Sequence, residues 1–296
     1  MGESTLTDSP VYKLNADAEP DAYFFVESDL SFNDSGSFVI TGNYADAIRC
    51  NKDLKFVKGT VTVPSTVLRG IKARNSICVN ESSVLNVNAT DSAIKVTQDN
   101  HPEKGYIVID GGNTNITTKK DAIHAETHLT VKGGYIDIKE CDEGIEGQMV
   151  DILGGEIHIS ASNDGINASS IKKVKDTSNI KEGSPLPEID KDGNVIFQPP
   201  PGPEDGEVKL PPPSEGIDGS VYINIVGGKT FINTIGIDFD GIDSNGILYI
   251  GGEAEVYSSV FGGEPSSPLD ADGEVSLAPG ATIVATAASA MNKMLC

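Results

Sequence analysis

Apolar and polar residues alternate along most of the chain in short runs that end at glycine. Ile107/Ile109, Leu129/Val131, Val150/Ile152, Ile223/Ile225 and Ile247/Tyr249 each lead into a Gly-Gly pair, at 111–112, 133–134, 154–155, 227–228 and 251–252. Behind the pairs a second alternating run starts, as in Ile136/Ile138, Ile157/Ile159, Thr230/Ile232 and Ala254/Val256. A period of two puts successive side chains on opposite faces and predicts half-buried strands. The glycine pair supplies the positive φ of the turn between them. The helical period of about 3.6 is absent almost throughout.

A second phrase runs in step with the first: an acidic residue, a small residue, isoleucine, then a polar residue. It reads Asp46-Ala-Ile-Arg49, Asp121-Ala-Ile-His124, Glu143-Gly-Ile-Glu146, Asp164-Gly-Ile-Asn167 and Asp240-Gly-Ile-Asp243, with weaker copies at Arg69–Lys72 and Ser92–Lys95. Its isoleucines fall at 48, 71, 94, 123, 145, 166 and 242, so the gaps are 23, 23, 29, 22, 21 and 76. The 29 and the 76 are insertions in a period of roughly 22. That period is too short for the helical repeats of about 33–47 residues or for propeller blades of about 40, and the GGxGxD nonapeptide of calcium β-rolls is missing. The expectation is an all-β chain folded as a right-handed parallel β-helix, each coil holding about three short strands and turns. Equivalent residues on successive coils then stack about 4.8 Å apart and the isoleucines form inward ladders. Residues 1–38 are read as an N-terminal cap and 39–296 as the β-helix. A Pro-rich insertion at about 169–219, with nine of the 16 prolines, is read as a loop or arm leaving the solenoid.

Stacking turns the second phrase into chemistry. Two positions before the isoleucine the column reads Asp121, Glu143, Asp164, Asp240; one position after it reads His124, Glu146, Asn167, Asp243. Asp142, Asp238, Asp270 and Asp272 lie nearby. Carboxylates stacked at coil spacing repel unless protonated or bridged by a cation. Calcium takes roughly six to eight oxygen ligands at about 2.3–2.6 Å, and adjacent coils of this kind can supply them. The competing reading makes the aspartates turn residues bonded to their own backbone. The net charge of 22 − 44 = −22 favours divalent cations and repels nucleic acid and anionic membranes. Cys50, Cys78, Cys141 and Cys296 are too widely spaced for a zinc site. No long apolar run predicts a membrane span, and no signal peptide is visible in Met1–Pro20.

Outward positions behind the glycine pairs carry Tyr135, His158, Phe231 and Tyr257. Such rings can stack on sugars, or simply pair across coils. A catalytic reading finds little support. The three arginines, Arg49, Arg69 and Arg74, all lie outside the acidic coils; Lys132 and Lys229 lie on nearer coils, and His124 in the acidic ladder is a further candidate base. No GxSxG, HExxH or phosphate-loop motif occurs.

Taken in order, Asp121-Ala-Ile-His-Ala, Asp142-Glu-Gly-Ile-Glu-Gly147, Asn163-Asp-Gly-Ile-Asn-Ala168 and Asp240-Gly-Ile-Asp-Ser-Asn-Gly246 resemble the secreted carbohydrate-binding β-helix family of cellulolytic anaerobic bacteria, within the pectate-lyase-like superfamily. The resemblance runs from about Asp46 to Ala290 and includes the Pro-rich insertion. It implies a secreted or cell-surface, calcium-holding protein that binds cellulose and acidic, pectin-like polysaccharides such as polygalacturonate, with little or no lyase activity. Carried over residue by residue, the Ca2+ ligands would come from Asp142, Glu146, Asp164, Asn167, Asp240 and Asp243. The glycan would meet Tyr135, His158 and Phe231. The early coils depart from the pattern, with Arg49, Lys72 and Lys95 in place of the acid. A monomer is expected. A calcium-dependent lyase or a hydrolase, and a structural adhesin, are the other function classes left open.

Overall fold

The computed structural model describes residues 2–11, 22–98, 101, 103–170, 187–189, 195–197, 220–236, 239–262 and 265–289. The bulk of the Pro-rich insertion, Asp238 and Cys296 lie outside the described residues. Every strand pairing in the stack is parallel, between strands one coil apart, which is the expected parallel β-helix.

Three faces follow from the two sequence phrases. The first is a nine-stranded ladder of short strands. It runs from Ala22–Val26 through Asp46–Cys50, Ile71–Ala73, Ile94–Val96, Ile123–His124, Ile145–Gly147, Ile166–Ala168 and Ile242–Ser244 to Asp270–Ala271. The second face holds the strands before each glycine pair, such as His128–Val131, Met149–Ile152 and Tyr222–Ile225. The third holds those behind it, Asn113–Thr117, Tyr135–Cys141, Glu156–Ala161, Lys229–Ile235 and Glu255–Gly262, and continues into Thr282–Ser289. In the early coils, which lack the glycine pair, Leu30–Thr41, Asp53–Val63 and Ser76–Asn88 cross both faces as single long strands. The segment expected as a cap thus contributes to the stack itself: Ala22–Val26 pairs with Asp46–Cys50, and Leu30–Thr41 pairs with Asp53–Val63.

The second glycine of each pair has positive φ, between 61° and 90° at Gly112, Gly134, Gly155, Gly228 and Gly252. At two pairs the first glycine must also lack a side chain: a Cβ on Gly227 would lie 2.3 Å from the Leu153 carbonyl oxygen one coil away, and one on Gly154 2.6 Å from that of Lys132. Inside, Ile48, Ile71, Ile94, Ile123, Ile145, Ile166 and Ile242 stack in register and are fully buried. Burying such a side chain is worth about 1.5–3 kcal/mol, so this one column supplies a large part of the drive to coil. Ile166 pairs directly with Ile242, so the 76-residue gap leaves the stack unbroken. Cys50, Cys78 and Cys141 are buried free thiols. Among the described residues no helix is long and apolar enough to cross a membrane.

Candidate functional site

The register of the first face places one outward residue per coil in a single column behind the isoleucines. In order it reads Phe25, Arg49, Lys72, Lys95, His124, Glu146, Asn167, Asp243, Asp270. The column is cationic at one end and anionic at the other, with a histidine at the crossover.

At the acidic end the two predicted columns play different parts. Two positions before the isoleucine, aspartates tie coils together. Asp46 Oδ1 accepts the N–H of Arg69 at 3.1 Å, Asp164 Oδ1 that of Asp240 at 2.7 Å, and Asp240 Oδ1 that of Ser267 at 2.5 Å. The turn reading expected bonds to each residue's own backbone; these bonds go to the next coil instead. One position after the isoleucine, Asp243 faces Asp270, and with Asp240 they bring three carboxylate oxygens within 4.8 Å of one another. Burial first, then Asp164, Asp240, Asp270 and Asp272, push the Asp243 carboxyl up to about 7. One coil back, Asn167 Nδ2 donates to Glu143 Oε2 at 3.2 Å, while its buried Oδ1 has no hydrogen-bond partner. Glu143 is also raised to about 7, by burial and by Glu146, against the Asn167 hydrogen bond, with Asp121 and Asp164 adding to it. An all-oxygen donor set under mutual repulsion suits a hard divalent cation such as calcium.

The other predicted ligands are placed elsewhere. Asp142 forms an ion pair with Lys120 at 3.2 Å. Glu146 is drawn to His124 Nδ1, with Asp121 at 3.4 Å and Glu126 at 3.6 Å on the same ring. Burial disfavours the charged imidazole, but Asp121, Glu126 and Glu146 outweigh it and raise the group to about 11. The imidazolium is therefore the cation at this rung. Asp121, His124 and Glu146 also lie close enough to share a metal, but their nitrogen donor suits a transition metal better than calcium.

On the third face, His158, Phe231 and Tyr257 stack as a column, followed by Val284. The rings of His158 and Phe231 lie 4.7 Å apart and those of Phe231 and Tyr257 4.9 Å, with interplanar angles of 15° and 7°. Cross-coil pairing thus occupies the inner ring faces. Tyr135 belongs to the neighbouring column, paired with Glu156; its own coil offers Asp137 to His158. It reaches the imidazole only as a tilted neighbour at 5.5 Å. Glu156 Oε1 lies 2.8 Å from His158 Nε2, and Tyr257 Oη donates to Glu255 Oε2 at 3.1 Å. Beyond Tyr257 the smaller Val284, 45% exposed, opens a shallow groove of about 300 Å³. Asn233, Ser259 and Thr286 line its floor with polar groups.

Sequence reasoning missed one polar cluster on the second face. Asp151 lies 2.6 Å from His128 Nε2 and accepts from Tyr222 Oη at 3.0 Å and Asn224 Nδ2 at 2.7 Å. Its members are 23 to 73 residues apart, so only the coil register signals it. Both carboxylate oxygens of the buried Asp151 are satisfied there, which accounts for it as structure.

No curated protein and no solved structure matches the chain. A family model described as a carbohydrate-binding domain-containing protein matches residues 2–148, so this half of the β-helix is similar to a family of carbohydrate-binding domains.

Proposed function

We propose that the chain is a secreted, non-catalytic carbohydrate-binding protein of plant cell-wall polysaccharide, cellulose or acidic pectin-like glycans, with calcium held at its acidic end. One observation carries the reading: the aromatic column His158–Phe231–Tyr257 ends at a groove that offers a ring face, a valine and hydroxyl and amide groups together. A sugar presents the same mixture, C–H groups on its faces and hydroxyls at its edge. The family match supports the carbohydrate class. At the acidic end, Asp240, Asp243 and Asp270 would hold the ion, with Asp164 and Asn167 in reach on the preceding coil. Bound there, calcium would relieve the repulsion and stiffen the last coils.

The cation distribution argues against a lyase. A base for β-elimination would have to stand beside the calcium, yet Lys95, the nearest lysine of the column, is four rungs from Asp243, on the order of 19 Å at about 4.8 Å per rung. His124 is nearer but already holds its proton among three carboxylates.

Pull-down on insoluble cellulose and on polygalacturonate gels, both in the presence of calcium, tests the reading. Retention on both matrices is the expected result, lost from cellulose in Tyr257→Ala, with no unsaturated product released from the gel. No retention on either matrix would remove the carbohydrate reading, and release of unsaturated product would make the protein a lyase.

A further inference from the structure

All three arginines of this strongly acidic chain lie within residues 49–74. The fold brings them to one end of the first face. Arg49, Lys72 and Lys95 occupy successive rungs of one column, at about coil spacing. Arg74 lies two residues beyond Lys72 on the same coil, and its Nε donates to Gln98 Oε1 at 2.9 Å. Arg49, Lys72 and Arg74, with Asn51, Thr97 and Gln98, line a strongly polar cleft of about 240 Å³. That is smaller than a drug-sized site and of the order of one sugar unit or small anion.

Two of the neighbouring acids are held by cations outside the cleft. Asp46 is engaged by Arg69 at 2.9 Å and Asp121 by Lys95 at 3.7 Å. Glu27 accepts from Asn51 Nδ2 at 2.8 Å while Asn51 Oδ1 accepts from Arg49 Nε at 3.2 Å, so this carboxylate lies at the Arg49 side of the cleft, one amide away. Among the described residues no carboxylate forms an ion pair with Lys72. The Arg49 guanidinium lies over the Phe25 ring, 5.6 Å from its centroid, which fixes its plane beside the cleft. Cations stacked at coil spacing repel as carboxylates do at the other end of the same column, and a bound anion relieves them. Burial and then Arg69 and Arg49 lower Lys72 to about 8, consistent with a site short of negative charge.

We infer that the Arg49–Lys72–Arg74 cleft is a second glycan subsite, which takes a carboxylate carried on a sugar. Guanidinium forks match the two oxygens of a carboxylate. Asn51, Thr97 and Gln98 line the cleft beside the cations, where Asn51 and Gln98 hold the side chains of Arg49 and Arg74. The inference rests on the reading of the chain as a carbohydrate-binding protein. It adds that acidic and neutral glycans are held at different places: the acidic sugar on the first face of the early coils, the neutral one over Tyr257.

Titration calorimetry of the full chain with a galacturonate trimer, its methyl ester and inorganic sulfate tests this. The acid should bind, more weakly as salt rises, and at least ten-fold more tightly than the ester or sulfate. Lys72→Met and Arg74→Gln should each lower its affinity ten-fold or more, whereas Tyr257→Ala leaves it unchanged. Circular dichroism and melting show whether the variants fold; Lys72→Met keeps the packed stem and sheds a repelling charge, so it should melt no lower than the parent. Equal affinity for acid and ester, or acid binding unmoved by both cleft variants, overturns the inference. If cellulose is still retained in that case, the proposed function stands without it. Sulfate bound as tightly as the trimer would reduce the cleft to a simple anion site and also overturn it.

Discussion

Asp164 Oδ1 accepts the main-chain N–H of Asp240 at 2.7 Å, although 76 residues separate them. Asp240 repeats the same bond to Ser267 one coil on. Charge-assisted bonds to a main-chain donor contribute about 1.5–3 kcal/mol, and losing the acceptor strands an N–H between coils. Asp164→Ala should therefore lower stability by roughly 1–3 kcal/mol in urea or thermal unfolding. The comparison belongs in chelator, where no bound ion contributes. An unchanged midpoint there would mean that the bond adds nothing.

Calcium should raise the melting temperature of the parent, by the equivalent of about 2.7 kcal/mol at a hundred times its dissociation constant. The Asp240→Ala/Asp243→Ala variant should lose that response. Asp243→Asn keeps the shape and removes one repelling charge among Asp164, Asp240, Asp270 and Asp272. It should melt at or above the parent in chelator, yet gain less from calcium. A parent that shows no calcium shift in scanning calorimetry would remove the ion from the acidic end.

The aromatic column ranks its own members. Tyr257→Ala removes the ring beside the open groove and should weaken glycan binding about ten-fold, roughly 1.4 kcal/mol. Phe231→Ala should cost a similar factor, because Tyr257 loses the ring on which it stacks. Tyr135→Ala, outside the column, should change binding less than three-fold, on the order of 0.6 kcal/mol. Affinity electrophoresis in a soluble glucan reads all three, and an equal loss at Tyr135 would place the glycan across both columns.

Lys72 links the cationic end to pH. It ordinarily titrates at 10.5 and is lowered to about 8, by burial first and then by Arg69 and Arg49. Below pH 8 the lysine is charged in both states and the folded protein bears the whole penalty. Between about 8 and 10.5 the folded lysine has released its proton while the unfolded one keeps it. The unfolded state then binds more protons, so this group's contribution to stability rises with pH. Lys72→Met should accordingly raise the melting temperature at pH 7, by less than the roughly 3 kcal/mol of the full shift, because solvent screens the half-buried ammonium. The gain should shrink towards pH 10.5. A difference between parent and variant that stays flat across that range would show that Lys72 carries no such penalty.

The sequence by itself determined the parallel coil, its isoleucine core and its turns, because these depend on periodic local signals. Alternation of two sets which side chains face inward, and the Gly-Gly pair marks where φ turns positive. The stacking of Asp164 on Asp240 and of Phe231 on Tyr257 was legible the same way, since a repeat in register converts spacing into adjacency. Tertiary structure decided what the aligned residues do. Tyr135 shares a strand with the column-bearing Asp137 but stands one pleat away, and Glu146 turns to His124 while Asp142 turns to Lys120. Those outcomes depend on pleat position, side-chain reach and the charges one coil away. The same holds for the cleft at Arg49, Lys72 and Arg74: each cation was visible as an exception to an acidic pattern, but only the stack brings them together with Asn51 and Gln98, because a cleft is a property of neighbouring coils and not of any one segment.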